Sequence, residues 1–458
     1  MDAAKRVRRL LRQGHAAPLA EPRAPDDRPL LHTPYELGGR DGPLPLGIHR
    51  GRLYQQGARV AEGEVSLSFT WLPHPNVRFE MVAPDSLVVD PGEATLELDL
   101  AQAVRVPVFV GRVVVGAAAE VVGTLTERAS FGDAATLDAI SFLLANTPAM
   151  HGGWISKPGA GGWLGRVQFE STPWRVTLEA RRDNRELTSE LKAFGGYAVT
   201  HVGRLERTDG LAFTVAQGRE ILDGLNLFLS FARGFWTPPL LPVGYESDGI
   251  VWREWLGRTS SPWRSNFAWF SPSHPDSLAD AFPRFMHRWQ DPQWRDSLTL
   301  GIWWYIEGNG TTTAETSLLL AQVALELFSW VILVQEQGQM SSTAHKSARA
   351  EGNIRSLLRW AQIPLAVPPE LAALSQYATS EGWADGPAAL IGLRNKLTHP
   401  GGKATAIFAA PTKARVELQQ LALWYVELIL LRFHGYRGDY VNRHKAEYVG
   451  EVERVPWG

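Results

Sequence analysis

Close to the C-terminal end, Leu390 to Gly402 reads as the last turns of a helix that runs into a stop. Pro400 disfavours helical dihedrals at His399, and Gly401-Gly402 lets the chain turn away. Just inside the stop stand Arg394, Asn395, Lys396 and His399, in a segment that is otherwise apolar on its buried side. At a helix C-terminus the backbone dipole favours imidazolium, so His399 would give or take a proton near neutral pH. At about 100° per residue Asn395 and His399 share a face as an i,i+4 pair, whereas Arg394 and His399 lie roughly 140° apart. Arg394 and His399 therefore meet on one ligand only if the helix end distorts, if the arginine wraps, or if two copies of the chain pair. The alternative is that these side chains only cap the last carbonyls of their helix.

The elements that must position this stretch follow from pattern. Residues 5–12 are basic without a following apolar stretch, which argues against a secretory signal, and 13–47 carry repeated prolines, so 1–47 is expected to be a basic, proline-rich segment. From 48 to 217 the apolar period is mostly two, as in Gly63 to Trp71, Ala94 to Leu100 and Val104 to Val115. Gly203 to Val215 reads as a hairpin around Asp209-Gly210, 146–166 as a glycine-rich loop, and Arg181 to Arg185 as a charged turn. A helix is predicted over 217–235, followed to 275 by a tryptophan-rich stretch that reads as more sheet or as a connector packed against it. From 276 onward the period is helical, with helices over about 276–290, 291–307, 312–335, 343–361, 369–379, 385–398 and 411–434. The fold class predicted is α+β: an antiparallel β-rich sandwich or barrel-like domain over 48–275, an all-α helical bundle over 276–445, and a tail over 446–458.

Composition narrows the chemistry. Lys and Arg number 46 against 48 Asp and Glu, a net charge of −2, so no global basic excess advertises nucleic-acid binding. There is no cysteine, which removes disulfides, thiolate zinc sites and a cysteine nucleophile, and fits a cytoplasmic setting. The apolar run from Leu318 to Val334 is interrupted by Gln322 and Glu326 and reads as a buried bundle helix, not a membrane span. Phosphate-loop, His-Glu-x-x-His, Gly-x-Ser-x-Gly and EF-hand motifs are absent. Pro158 to Gly165 lacks dinucleotide-loop spacing, and Asp183, Glu190 and Lys192 make a weak match to a nuclease metal cluster. His345 and Lys346 read as a solvated face and His287 as a surface residue, so neither a metal nor a cofactor is expected.

At Arg394-Asn395-Lys396-Leu397-Thr398-His399 the chain resembles the HEPN superfamily of helical bundles, many of them ribonucleases, whose signature is an arginine, a polar residue, a short spacer and a histidine. The resemblance covers roughly 276–445, and the order of a β-rich front half and a HEPN-like back half is similar to ApeA-type abortive-infection proteins of phage defence. It implies metal-independent RNA cleavage in which the ribose 2′-OH attacks the adjacent phosphorus. His399 would be general acid or base, Arg394 would stabilise the phosphate, and Asn395 would orient the histidine or bond a phosphate oxygen. Lys396 would add local positive charge, and Glu326 is the candidate for an acidic residue on an earlier helix. The implied partners are an RNA substrate, a second copy through the helical domain and a phage-derived trigger, with no membrane. Two other expectations stand beside this one: a non-catalytic HEPN-like dimerisation or nucleotide- or RNA-binding module coupled to a ligand-sensing β domain, and a carbohydrate- or peptide-binding β domain on a helical scaffold.

Overall fold

The computed structural model of the chain describes residues 31–84, 88–100, 103–116, 118–156, 161–310, 313–398 and 410–458. Strands β1 (Leu44–Gln55), β2 (Ala58–Thr70), β3 (Asn76–Ala83), β4 (Gly92–Asp99), β5 (Ala103–Val115) and β6 (Ala119–Leu125) close into an antiparallel barrel in the order β1-β2-β3-β6-β5-β4. Strict alternation builds it. In β3, Val77, Phe79, Met81 and Ala83 are buried while Arg78, Glu80 and Val82 face outward.

A second sheet follows. It is made of β7 (Ala129–Phe131), β9 (Ala139–Ala145), β10 (Gly153–Ser156), β11 (Gly162–Ser171), β12 (Trp174–Ala180), β13 (Val199–Arg207), β15 (Leu240–Glu246) and β16 (Gly249–Trp255), in the order β10-β11-β12-β13-β9-β15-β16-β7. Short β8 (Thr136–Leu137) and β14 (Phe213–Thr214) pair with each other. The sheet is buried on both faces. Leu143 and Ala145 of β9 join the barrel core, whereas Ile140, Phe142 and Leu144 join the helical core. The molecule is thus layered as barrel, sheet and helices, an α+β arrangement with the β-rich part first.

Three local expectations are corrected. Asp209-Gly210 does not close a hairpin, because Phe213-Thr214 pairs with β8 and then caps a helix. The glycine-rich stretch holds β10 and the first half of β11. Glycine suits it because a Cβ at Gly162 would lie 2.4 Å from the Trp154 indole. The charged turn opens α1 (Asn184–Phe194), whose Leu187 and Leu191 are buried at amphipathic spacing.

Helix α2 (Val215–Arg233) starts at a capping box between Thr214 and Gln217 and stops at left-handed Gly234. The bundle contains α3 (Asp276–Gln290), which runs on through Pro283, α4 (Pro292–Gly310), α5 (Ala314–Trp330), α6 (Ser342–Trp360), α7 (Ala372–Glu381), α8 (Gly386–Thr398) and α9 (Thr412–Phe433). α5 continues as a π-helical turn, Val331–Glu336. The stretch Ala314–Glu336 is long and apolar enough to cross a membrane by length and composition. Here 61% of its apolar window is buried in the protein, and α5 packs on α4, α6, α8 and α9. The tail returns through β17 (Asp439–Tyr440) and β18 (Glu453–Arg454).

A buried ionic knot locks the tail to the bundle. Arg443 and Glu427 have almost no exposed side chain, and they pair through Arg443 Nη2 and Glu427 Oε1, with Arg443 Nε donating to Glu427 Oε2 at 3.0 Å. Tyr305 Oη donates to the same carboxylate, and Arg443 Nη1 donates to Gln420 Oε1 at 3.0 Å. Each charge is therefore saturated with partners, as burial at low dielectric demands. Glu427→Gln is expected to cost on the order of 3–5 kcal/mol because it leaves the arginine buried and uncompensated, while Glu427→Leu combined with Arg443→Met recovers most of that loss. Urea denaturation of the three proteins measures this, and a single variant as stable as wild type would contradict it.

Burial also holds two histidines neutral. It pushes His201 down to about 3, helped by nearby Arg233, and His434 down to about 3, helped by Arg288 and Arg284. Below pH 6.5 the unfolded chain therefore takes up protons that the folded chain refuses. Stability is full above pH 6.5 and falls as the pH drops toward 3, on the order of 1–2 kcal/mol per histidine by pH 5. The urea midpoint is expected to drop between pH 7 and pH 5, and an unchanged midpoint would contradict neutral burial.

Candidate functional site

Helix α8 begins under tight control. Asp385 precedes it and accepts from Ala388 N at 2.9 Å, while Arg355 grips the same carboxylate at 2.7 and 3.0 Å. Gly386 N donates to Leu365 O at 2.8 Å, and a Cβ at Gly386 would lie 2.1 Å from Tyr425 Oη, so the helix start sits hard against α9. Ala389, Leu390 and Leu393 form the buried face, and the helix rests on α5, α6 and α9. Midway, a Cβ at Gly392 would meet the Trp383 indole at 2.4 Å. Glycine there admits the tryptophan against the helix.

The polar residues diverge from this scaffold. Arg394 is half-buried and Asn395 exposed, and Arg394 Nη1 donates to Asn395 Oδ1 at 3.2 Å. Within the described residues Asn395 thus braces the arginine. Lys396 is directed elsewhere: its ammonium is 2.6 Å from Glu381 Oε2 and 3.0 Å from Tyr377 Oη, and it lies 5.3 and 5.5 Å from the Tyr377 and Trp383 ring centroids. Burial opposes that charge, but the hydrogen bonds to Glu381 and Tyr377 outweigh it and hold the Lys396 pKa above its ordinary value. The expectation that Lys396 lends free positive charge beside Arg394 is therefore corrected, since Glu381 neutralises it. His399 and the Pro-Gly-Gly stop lie outside the described residues.

Glu326, on α5, accepts from Gln322 Nε2 through its carboxylate and from Ser329 Oγ, at 2.7 Å, through its backbone oxygen. Its charge acts on His345, raising that ring's pKa against the larger, lowering effect of burial. His345 is not a solvated residue. Its Nε2 is 2.9 Å from Ser329 Oγ, its Nδ1 is 3.3 Å from Asn353 Nδ2, and its ring meets Trp330 edge-on at 5.3 Å. Helix α6 breaks at Arg349 (φ 56°), and Asn353 Nδ2 bridges the break by donating to His345 O at 3.0 Å. Helical spacing hid this cluster, because the break changes which side chains of α6 share a face. Lys346 is exposed as expected. Asp183 pairs with Arg181 at 2.6 Å and does not form a carboxylate cluster with Glu190 and Lys192.

These features define an α+β protein in which a barrel and a two-faced sheet precede a helical bundle, with an arginine–asparagine pair near the end of one bundle helix. Residues 132–266, covering most of the sheet with α1 and α2, match the YopA central domain family, and residues 291–454, covering α4 to α9, match the YopA C-terminal domain family. The SPbeta prophage-derived uncharacterized protein YopA of Bacillus subtilis (strain 168) is 30% identical over 297 residues, which is 64% of this chain and 66% of that protein's length. No solved structure matches.

Gly392→Ala is expected to destabilise the protein by about 1–3 kcal/mol, because the new methyl displaces Trp383 and opens the cage around Lys396. Thermal unfolding measures it. An unchanged midpoint would mean that Trp383 does not hold α8.

Proposed function

We propose that this chain is a metal-independent endoribonuclease of HEPN type. The reading is carried by the half-buried Arg394 guanidinium, braced by Asn395 near the end of a packed bundle helix, five residues ahead of His399. In this reading Arg394 donates to the non-bridging oxygens of the scissile phosphate, and its charge offsets the negative charge that builds as the 2′-oxygen attacks. His399 removes the 2′-OH proton as general base, or protonates the departing 5′-oxygen as general acid. The products are a 2′,3′-cyclic phosphate and a 5′-OH, and the need for the 2′-OH restricts the reaction to RNA.

The same reading makes the chain the toxic effector of an abortive-infection system in the cytoplasm. It acts as a homodimer through the helical domain, and the β-rich half responds to a phage-derived trigger. A prophage-derived relative is in keeping with a part in phage–host conflict. Glu326 and Lys396 drop out of the reacting group, because their contacts are with Gln322 and Ser329 and with Glu381 and Tyr377. Those commitments favour a second reading, in which the bundle is a non-catalytic nucleotide- or RNA-binding or dimerisation module.

His399→Ala is expected to abolish cleavage of labelled RNA, and Arg394→Ala to lower it by about two orders of magnitude or more, with circular dichroism unchanged. Lys396→Ala is expected to leave the cleavage rate within about threefold while lowering stability by up to about 1 kcal/mol. Cleavage that survives His399→Ala contradicts the proposal. Binding without cleavage by wild type, undiminished in Arg394→Ala, favours the non-catalytic module.

A further inference from the structure

On another side of the bundle, α3, the π-helical turn after α5 and the ends of α6 and α9 enclose an open cleft of about 750 Å³. Arg284, Arg288 and Arg432 line it, against the carboxylates of Asp280 and Glu336. Glu336 is already engaged: Arg288 Nη2 lies 2.6 Å from it, and Arg288 Nε donates to Phe433 O at 3.1 Å. Among the described residues Arg284 and Arg432 take part in no ion pair. Arg432 is half-buried, with its guanidinium over the rings of Trp360 and Trp457 at 5.5 Å from each centroid. Those faces hold its plane and leave its N–H donors unspent.

His434 lines the same cleft. It is 5% exposed, and both of its ring nitrogens are buried. The edges of Phe231 and Phe285 fix the ring, at 6.1 and 5.8 Å between centroids. Burial holds the imidazole neutral, so the ring adds no charge to the cleft. Two unpaired guanidinium groups lining one cleft are what a compact, oxygen-rich anion satisfies.

We propose that this cleft binds the phosphate group of a small phosphorylated ligand of about mononucleotide size, with Arg284 and Arg432 on its oxygens. The cleft's volume lies in the range of about 300–1,000 Å³ usual for small-molecule sites. Asp280 at the wall disfavours an extended polyanion, which would have to pass the carboxylate. The cleft has no lining residue from α8, so the proposal does not depend on the ribonuclease reading.

The test uses the full chain and two measurements, thermal unfolding and calorimetric titration, with AMP, inorganic pyrophosphate, adenosine and a short single-stranded RNA as probes. AMP and pyrophosphate are expected to raise the unfolding temperature while adenosine does not, and Arg284→Glu and Arg432→Gln are each expected to weaken AMP binding by about tenfold or more. Arg284 is exposed, so Arg284→Glu remains informative if Arg432→Gln, which loses its contacts with Trp360 and Trp457, does not fold. No response to AMP or pyrophosphate at about 10 mM overturns the proposal, as does AMP binding undiminished in Arg284→Glu. Binding of the RNA alone, lost in Arg284→Glu, also overturns it and assigns the cleft to a nucleic-acid strand.

Discussion

The helical half closes on one buried charge pair. Glu427 lies in the middle of α9, and Arg443 reaches it from the tail that follows. Two charges removed from water are tolerated only with full sets of partners, and here Tyr305 of α4 and Gln420 of α9 complete them. The chain beside the pair is tied as well, with Val441 N donating to Trp269 O at 2.8 Å. The connector, α4, α9 and the tail can therefore meet in one arrangement only. With α9 fixed, Tyr425 fixes the start of α8 through its contact with Gly386, and Glu417 fixes α7 by accepting from Leu374 N at 2.7 Å. The place of Arg394 is set by that chain of contacts.

The sheet imposes a second constraint. Its central strand, β9, is buried along its whole length because barrel and helices cover opposite faces. This couples the two halves mechanically: a shift of the barrel against the sheet is felt by side chains close to those, such as Ile140, that touch α2. In the proposed effector such a two-faced layer is where a signal received by the β-rich half would reach the helices.

Much of this was legible in the chain. Alternation in Gly63 to Trp71 and Ala94 to Leu100 marked barrel strands because one face of each meets the core. Helix starts were visible wherever a cap was local, as at Asp291-Pro292. Strand β9 escaped because burial on both faces erases alternation, and α1 escaped because its charged opening resembles a turn. At the site, Arg394 and Asn395 were recognisable from their position before a helix stop. The partners of Lys396 and the setting of His345 were not, since Glu381, Tyr377, Ser329 and Asn353 are brought in by other turns of the bundle. The cleft at Arg432 and His434 was hidden for the same reason, as its walls come from four elements distant in sequence.

The central claim concerns how RNA would be cut, and the chemistry of the cut ends addresses it directly. The purified full-length protein should be incubated with a defined RNA in the presence of a chelator, alongside the same strand carrying 2′-deoxyriboses, and the new ends analysed by mass spectrometry. The account predicts 2′,3′-cyclic phosphate and 5′-hydroxyl ends from the RNA and an intact deoxy strand. Ends bearing a 5′-phosphate, or cleavage of the deoxy strand, would contradict it.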